Sequence, residues 1–213
     1  MNRPRVLLAD DHTLVLEGFR RIVEQRCEVV GSVEDGRSLL EAAMRLRPDL
    51  ILLDISMPLL NGIDAARQLH KLAPEVKLIF VTMHADPAYI SEAFKAGASA
   101  YLLKRSAARE LESAIDAVMK GQYYVTSLLT RDLVTSLTQD GANMLAQRQE
   151  LTPRQREVLQ LVAEGRTIKE TAALLNISPK TVEFHKAQIM SQLNLHTTAE
   201  LTKYALSHGL IST

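Results

Sequence analysis

The feature that most constrains this chain is a switch between two hydrophobic periods, repeated five times across the first 121 residues. Arg5-Val6-Leu7-Leu8-Ala9-Asp10, Val29-Val30, Asp49-Leu50-Ile51-Leu52-Leu53-Asp54, Lys77-Leu78-Ile79-Phe80-Val81-Thr82 and Ala100-Tyr101-Leu102-Leu103 read as strands. After them come apolar residues at helical spacing: Val15, Phe19, Ile22 and Val23; Leu39, Leu40, Ala43 and Met44; Ala65, Ala66 and Leu69; Ile90, Ala93 and Phe94; Leu111, Ile115 and Val118. A strand that is apolar throughout has no face to give to water, so it belongs in a parallel sheet covered on both sides. The expected fold class is α/β, a doubly wound parallel five-stranded sheet of the flavodoxin-like kind. Gly121 suits the left-handed residue that closes the last helix.

The remaining chain changes character. Residues 122–150 carry Leu129, Leu133, Leu137 and Val134, the pattern of one amphipathic linker helix, then a break at Gln139-Asp140-Gly141-Ala142-Asn143 that predicts a flexible linker to about residue 150. Residues 151–213 show no strand pattern and read as a second, all-α domain of four helices. Thr152 can cap the first, with Pro153 at its opening position and Gln155 three residues on. Gly165 ends that helix, Thr167 caps the second, Asn176-Ile177 turns, and Ser178 caps the third. The fourth runs from about Thr198 to Ser207, ended by His208-Gly209. Thr167 to Leu193 has the form of a helix-turn-helix.

Composition excludes several classes. Apolar residues are 46% and charged residues 23% of the chain, values of a globular protein rather than a disordered one. No apolar run approaches the roughly 20 residues of a membrane helix. Cys27 is the single cysteine, which excludes an intrachain disulfide and a cysteine-cluster metal site. A cytoplasmic protein without a membrane partner is the expectation. Net charge is zero, with 25 basic and 25 acidic residues. Residues 151–213 hold 7 basic and 5 acidic residues, net +2, too little for charge alone to mark a nucleic-acid binder.

In open α/β sheets, function collects beyond the carboxyl ends of the strands. Asp10 and Asp11 follow the first strand, Asp54 the third, Thr82 ends the fourth and Lys104 follows the fifth. Two like charges about 4 Å apart cost about 4 kcal/mol at an effective dielectric of 20, so converging carboxylates need a cation. Lys104 supplies one charge and a divalent ion could supply two. Oxygen ligands with no histidine or cysteine nearby favour Mg²⁺ over zinc. This set suits phosphoryl transfer to a carboxylate, with Asp54 as nucleophile. Asp10, Asp11 and the Ser56 backbone carbonyl would hold the ion, and Lys104 and the Thr82 hydroxyl would bind the remaining phosphoryl oxygens. Gly62 lets the chain turn close by. Singly, an acidic pair after a strand is a helix cap and a lone lysine is surface; five positions in register are not.

The set Asp10-Asp11, Asp54-Ile55-Ser56-Met57-Pro58-Leu59-Leu60-Asn61-Gly62, Thr82 and Lys104 resembles a response-regulator receiver domain over residues 1–121. The resemblance implies phosphorylation of Asp54 by a partner histidine kinase with Mg²⁺. It also implies a switch in which Thr82 turns toward the phosphoryl group and Tyr101 changes rotamer. Two positions depart from or qualify the pattern: Arg105 stands where many receivers have proline, and His84, two residues after Thr82, occupies a position that in such domains tunes dephosphorylation.

In a helix-turn-helix the second helix lies in the DNA major groove, with its early residues at base edges. Here these are Lys180, Thr181, Glu183, Phe184 and Ala187. Lys180, Thr181 and Lys186 suit phosphate contacts; Glu183 could accept from cytosine N4 and Phe184 touch a thymine methyl. Helical hairpins also dock proteins, so periodicity alone leaves both open. Leu151-Thr152-Pro153-Arg154-Gln155-Arg156-Glu157, Ala172, Ser178-Pro179-Lys180-Thr181-Val182, His185 and Ile189 are similar to the LuxR-type helix-turn-helix, and the whole chain resembles NarL/FixJ-type regulators. That resemblance implies double-stranded DNA as partner and a homodimer when phosphorylated or on DNA. His185 is then structural or phosphate-facing. The last helix, with Ala199, Leu201, Tyr204 and Ala205, is either a dimer contact or simple core. Three other readings compete. A dehalogenase-like phosphatase would need a second acid where Ser56 stands. An acyl-homoserine-lactone-type sensor would need an aromatic cavity. A receiver used only as a scaffold would not need the acidic set. The reading is a transcription regulator, not an enzyme.

Overall fold

A computed structural model describes residues 3–129 and 151–211. The chain divides into two compact units.

The first unit alternates strand and helix: β1 (Arg5–Ala9), α1 (Thr13–Val23), β2 (Glu28–Val33), α2 (Gly36–Leu46), β3 (Leu50–Leu53), α3 (Gly62–Leu72), β4 (Lys77–Thr82), α4 (Pro87–Lys95), β5 (Ala100–Leu103), α5 (Lys104–Met119) and β6 (Tyr124–Val125). The sheet order is β2-β1-β3-β4-β5-β6, and every pairing is parallel. All four residues of β3 and of β5 are buried, as continuous apolar runs at the centre of a sheet covered on both faces must be. On one face Leu16, Phe19 and Val23 of α1 and Leu111, Ile115 and Val118 of α5 close over Val6, Leu8, Leu50, Leu52, Ile79, Val81 and Leu102. Cys27 lies in the same core. Each fully buried aliphatic side chain there contributes about 1.5–3 kcal/mol.

The five-stranded expectation needs correction. A sixth strand, β6, pairs with β5: the Tyr124 amide donates to the Ser99 carbonyl at 3.1 Å and the Thr126 amide to the Tyr101 carbonyl at 2.9 Å. Thr126 is fully buried, and its hydroxyl lies 3.0 Å from that of Ser106. The sheet therefore runs past Gly121, whose φ of 76° does close α5. Two residues are too few for a periodicity to register. Ser127–Leu129 begin a helical turn; the expected linker helix at Leu133, Val134 and Leu137 and the linker at 139–150 lie outside the described residues.

The second unit holds α6 (Pro153–Ala163), α7 (Ile168–Leu175), α8 (Pro179–Leu193) and α9 (Thr198–Ser207). Its boundaries are written in capping chemistry. Thr152 with Gln155, Thr167 with Glu170 and Thr197 with Glu200 form reciprocal capping boxes, each satisfying two backbone donors that the first helical turn leaves open. Ser178 caps α8 by accepting from the Thr181 amide. Asn176 and Asn194, both at φ 52°, end α7 and α8 in the left-handed region. Val158, Leu159, Leu161, Leu175, Val182, Ile189, Leu201 and Ala205 form the core. Leu201 and Ala205 are thus packing residues of this unit, while Ala199 is exposed.

Candidate functional site

Each acidic side chain sits where its strand stops. β1 ends at Ala9 and β3 at Leu53, so Asp10 and Asp54 leave the sheet side by side. Both are nearly inaccessible. Lys104 opens α5 directly after β5. Its ammonium lies 2.7 Å from Asp10 Oδ2 and 2.8 Å from Asp54 Oδ2, in a side chain only 11% exposed. Asp54 Oδ1 accepts from the Ile55 amide at 2.6 Å. Asp10 Oδ1 accepts from the His12 amide at 2.9 Å. The structure thus brings Asp10, Asp54 and Lys104 together as expected, with Asp11 next to Asp10 and half-buried.

The electrostatics follow from burial. Burial and the Asp54 charge push the Asp10 carboxyl above its ordinary range, against the pull of Lys104 and the His12 amide. Burial works against the Lys104 ammonium, but Asp54 and Asp10 outweigh it and hold the group above the ordinary lysine value.

Gly62 explains itself by contact. A Cβ at this position would stand 1.9 Å from the Asp54 carbonyl oxygen and 2.9 Å from its carbon. Only a glycine lets the first turn of α3 cross so close behind Asp54. Asn61 caps that helix by accepting from the Asp64 amide at 2.9 Å. Arg67 reaches from Asp64, at 2.8 Å, across to Glu92 of α4, a bridge between α3 and α4 that no sequence period announces.

One premise is overturned: histidines do stand near the acids. His12, the N-cap of α1, makes no side-chain capping bond. Its ring turns to the carboxylates, with Nδ1 2.7 Å from Asp11 Oδ1 and 3.3 Å from Asp10 Oδ1. His84 Nε2 lies 2.9 Å from Ser56 Oγ. Asp10, Asp11 and His12 offer ligand atoms within 4.8 Å of one another. Asp10 Oδ2 and Asp11 Oδ1 are buried atoms whose close partners are the Lys104 ammonium and the His12 ring, each at 2.7 Å.

Thr82 and Tyr101 are both fully buried. The His84 amide approaches Thr82 Oγ1 at 3.4 Å, and the Tyr101 hydroxyl donates to the His84 carbonyl at 2.8 Å. Burial, reinforced by the Asp54 charge, pushes the Tyr101 hydroxyl far above its ordinary range, so it remains a donor.

On α8, Lys180, Glu183, Phe184 and Ala187 are all exposed. Their spacing of three and four residues puts them on one helical face. Val182 and Ile189 are buried. Phe184 is 58% exposed, unusual for an aromatic ring with core available. Of the other three expected contacts, Thr181 and Lys186 are engaged within the unit. The Thr181 hydroxyl lies 2.8 Å from that of Ser178, Lys186 donates to Thr198 Oγ1 at 3.1 Å, and His185 is half-buried with Nδ1 lacking a hydrogen-bond partner.

Residues 6–116 match the response regulator receiver domain, and residues 149–205 match the bacterial regulatory proteins of the luxR family. The chain belongs to the LuxR-type response regulators. The transcriptional regulatory protein MctR of Rhizobium johnstonii is 36% identical over 210 residues, covering 98% of this chain and 95% of that protein. The oxygen regulatory protein NreC of Staphylococcus aureus is 36% identical over 214 residues, covering 97% and 99%. Among solved structures, RcsB of Salmonella enterica serovar Typhimurium, bound to a promoter in the presence of the phosphomimetic BeF₃⁻, is 31% identical. It has a TM-score of 0.62 and covers 97% of this chain and 100% of that one. This regulator therefore joins a receiver to a LuxR-type DNA-binding domain. Among its described residues no helix is long and apolar enough to cross a membrane.

Proposed function

We propose that Asp54 is the phosphoacceptor of this regulator and that its phosphorylation by a histidine kinase controls DNA binding through α8. The observation that carries the reading is the Lys104 ammonium bridging two buried carboxylates at the strand ends. Asp54 Oδ attacks the phosphorus of a phosphohistidine; the P–O bond forms as the P–N bond breaks and the imidazole leaves with a proton. Lys104, already between the two acids, moves onto a phosphoryl oxygen and offsets the added charge. The Thr82 hydroxyl donates to another. The donor set suits Mg²⁺: Asp10, Asp11, Asp54 and the Ser56 carbonyl would hold it with hard oxygen atoms, and Asp10 and Asp11 offer carboxylate oxygens within 4.8 Å of each other. When bound there, such an ion would supply charge neutralisation and polarisation of the phosphoryl group.

On the output side, Phe184, Glu183 and Ala187 meet the base edges of the major groove and Lys180 a backbone phosphate, while Thr181, His185 and Lys186 shape or flank the contact. RcsB is also solved as dimers bound to DNA, which supports a homodimer here. A module of net +2 binds DNA weakly alone, and linking two raises effective concentration. The protein works in the cytoplasm as a stoichiometric switch rather than an enzyme.

Acetyl phosphate with Mg²⁺ tests the input. The expected result is one acyl phosphate per wild-type chain, none in Asp54→Asn, and no turnover of p-nitrophenyl phosphate. Labelling of Asp54→Asn to the wild-type level would end the assignment. Selection from a random DNA pool with and without BeF₃⁻ tests the output; identical pools and affinities in both conditions would remove phosphorylation as the control.

A further inference from the structure

Arg154 and Glu157 lie one turn apart near the start of α6, outside the base-reading set on α8. Arg154 Nη1 stands 2.8 Å from Glu157 Oε2. Nη2 of the same guanidinium donates to the Leu175 carbonyl at 2.6 Å. Leu175 is the last residue of α7, a helix of eight residues. Beyond it the chain is left-handed at Asn176, and the Asn176 and Ile177 amides turn back to the Ala173 and Ala172 carbonyls. The Leu175 carbonyl lies past that closure. A continuing helix would give it the amide four residues on, but that residue is Pro179, which has none. A guanidinium suits the place, because the carboxyl end of a helix carries partial negative charge. Its planar fork serves both partners at once. Glu157, only 13% exposed, orients it, and the other arm holds the peptide at which α7 turns toward α8.

We infer that Arg154, oriented by Glu157, is a positioning residue for DNA recognition: it sets the angle at which α8 leaves α7, without itself touching DNA. The inference rests on α8 being the reading helix. Only Asn176, Ile177 and Ser178 lie between Leu175 and the first residue of α8. A small rotation of the held peptide therefore swings a helix of 15 residues and carries Phe184 and Ala187 away from their bases.

The full-length chain is titrated, at several salt concentrations, with the duplex that the wild type recovers from a random pool and with a scrambled duplex of the same composition. Arg154→Met keeps the apolar stem and removes the charge and the donors. It is expected to bind the recovered duplex about tenfold more weakly, the worth of one charge-assisted hydrogen bond, with the scrambled duplex nearly unaffected and the salt slope as in the wild type. Glu157→Gln should lose affinity in the same direction, and the double variant should lose no more than Arg154→Met. Arg154→Lys, which keeps one charged donor, should fall between Arg154→Met and the wild type. Amide exchange followed by NMR in Arg154→Met should quicken at Thr181 and Val182, whose amides open α8, and stay unchanged in α9. A salt slope lowered by about 0.9 would make Arg154 a phosphate contact and overturn the inference. Equal losses on both duplexes, an unchanged affinity, or exchange quickened equally in all four helices would overturn it too. Should Arg154→Met fail to fold, Glu157→Gln decides by the same readings. If the wild type recovers no duplex, or Phe184→Ala binds it equally well, the reading of α8 fails, and the exchange result alone decides the hold of Arg154 on the turn.

Discussion

At the scale of single residues, the acidic pocket places function against stability. Asp10 is held in a place that raises its carboxyl, burial first and the Asp54 charge after it. The unfolded chain loses that proton near 3.8 and the folded one at higher pH, so above this window the native state carries a penalty. Asp10→Asn should therefore raise the thermal midpoint at neutral pH by about 2–4 °C, the equivalent of about 1 kcal/mol in a chain of this size. The gain should shrink as pH falls and vanish below about 3.8. Calorimetry across pH 3–7 (about one unit per scan) checks both sign and window. Lys104→Met should do the reverse, leaving two facing carboxylates without their cation, at a cost of about 2–4 kcal/mol in urea unfolding. The raised Lys104 value adds that its stabilisation is complete at neutral pH and is lost only as pH rises beyond 10.5. Asp10, Asp54 and Lys104 were legible in the sequence because strand ends are legible and chain direction carries them to one edge. The His12 ring was not, because no spacing says which way a mostly exposed side chain turns. The same holds for the Ser56–His84 bond, which joins loops 28 residues apart.

At the scale of elements, helix starts were the most readable feature. Threonine followed three residues later by glutamine or glutamate marks α6 and α7, and the reciprocal bonds are present. Thr152→Ala and Thr167→Ala should each cost about 1 kcal/mol of the second unit's stability, visible as a lower unfolding midpoint by circular dichroism. Gly62→Ala tests a tighter constraint. With a Cβ 1.9 Å from backbone, α3 must shift; a loss of about 3 kcal/mol is expected, accompanied by slower acyl phosphate formation because the Asp54 peptide moves with it. β6 was illegible for the opposite reason: Tyr124 and Val125 form a strand only because β5 offers an open edge, and that edge is a tertiary fact.

At the scale of the whole molecule, the sequence announces two modules through a change of period, continuous runs giving way to helical spacing after residue 121. DNA recognition belongs to this scale because charge alone does not deliver it. Phe184→Ala should cost about 1–3 kcal/mol at a cognate site and relax preference at one base position, whereas Lys180→Ala should weaken all sequences alike and lower the salt slope by about 1. Titrations at several salt concentrations separate the two. The bond from the Thr126 amide to the Tyr101 carbonyl has a consequence of its own. The stalk by which the polypeptide departs the receiver is stitched to the very peptide that bears the buried phenol. A ring swinging out there loosens the seam, and faster deuterium uptake at Thr126 would be the first sign that the signal had left the sheet.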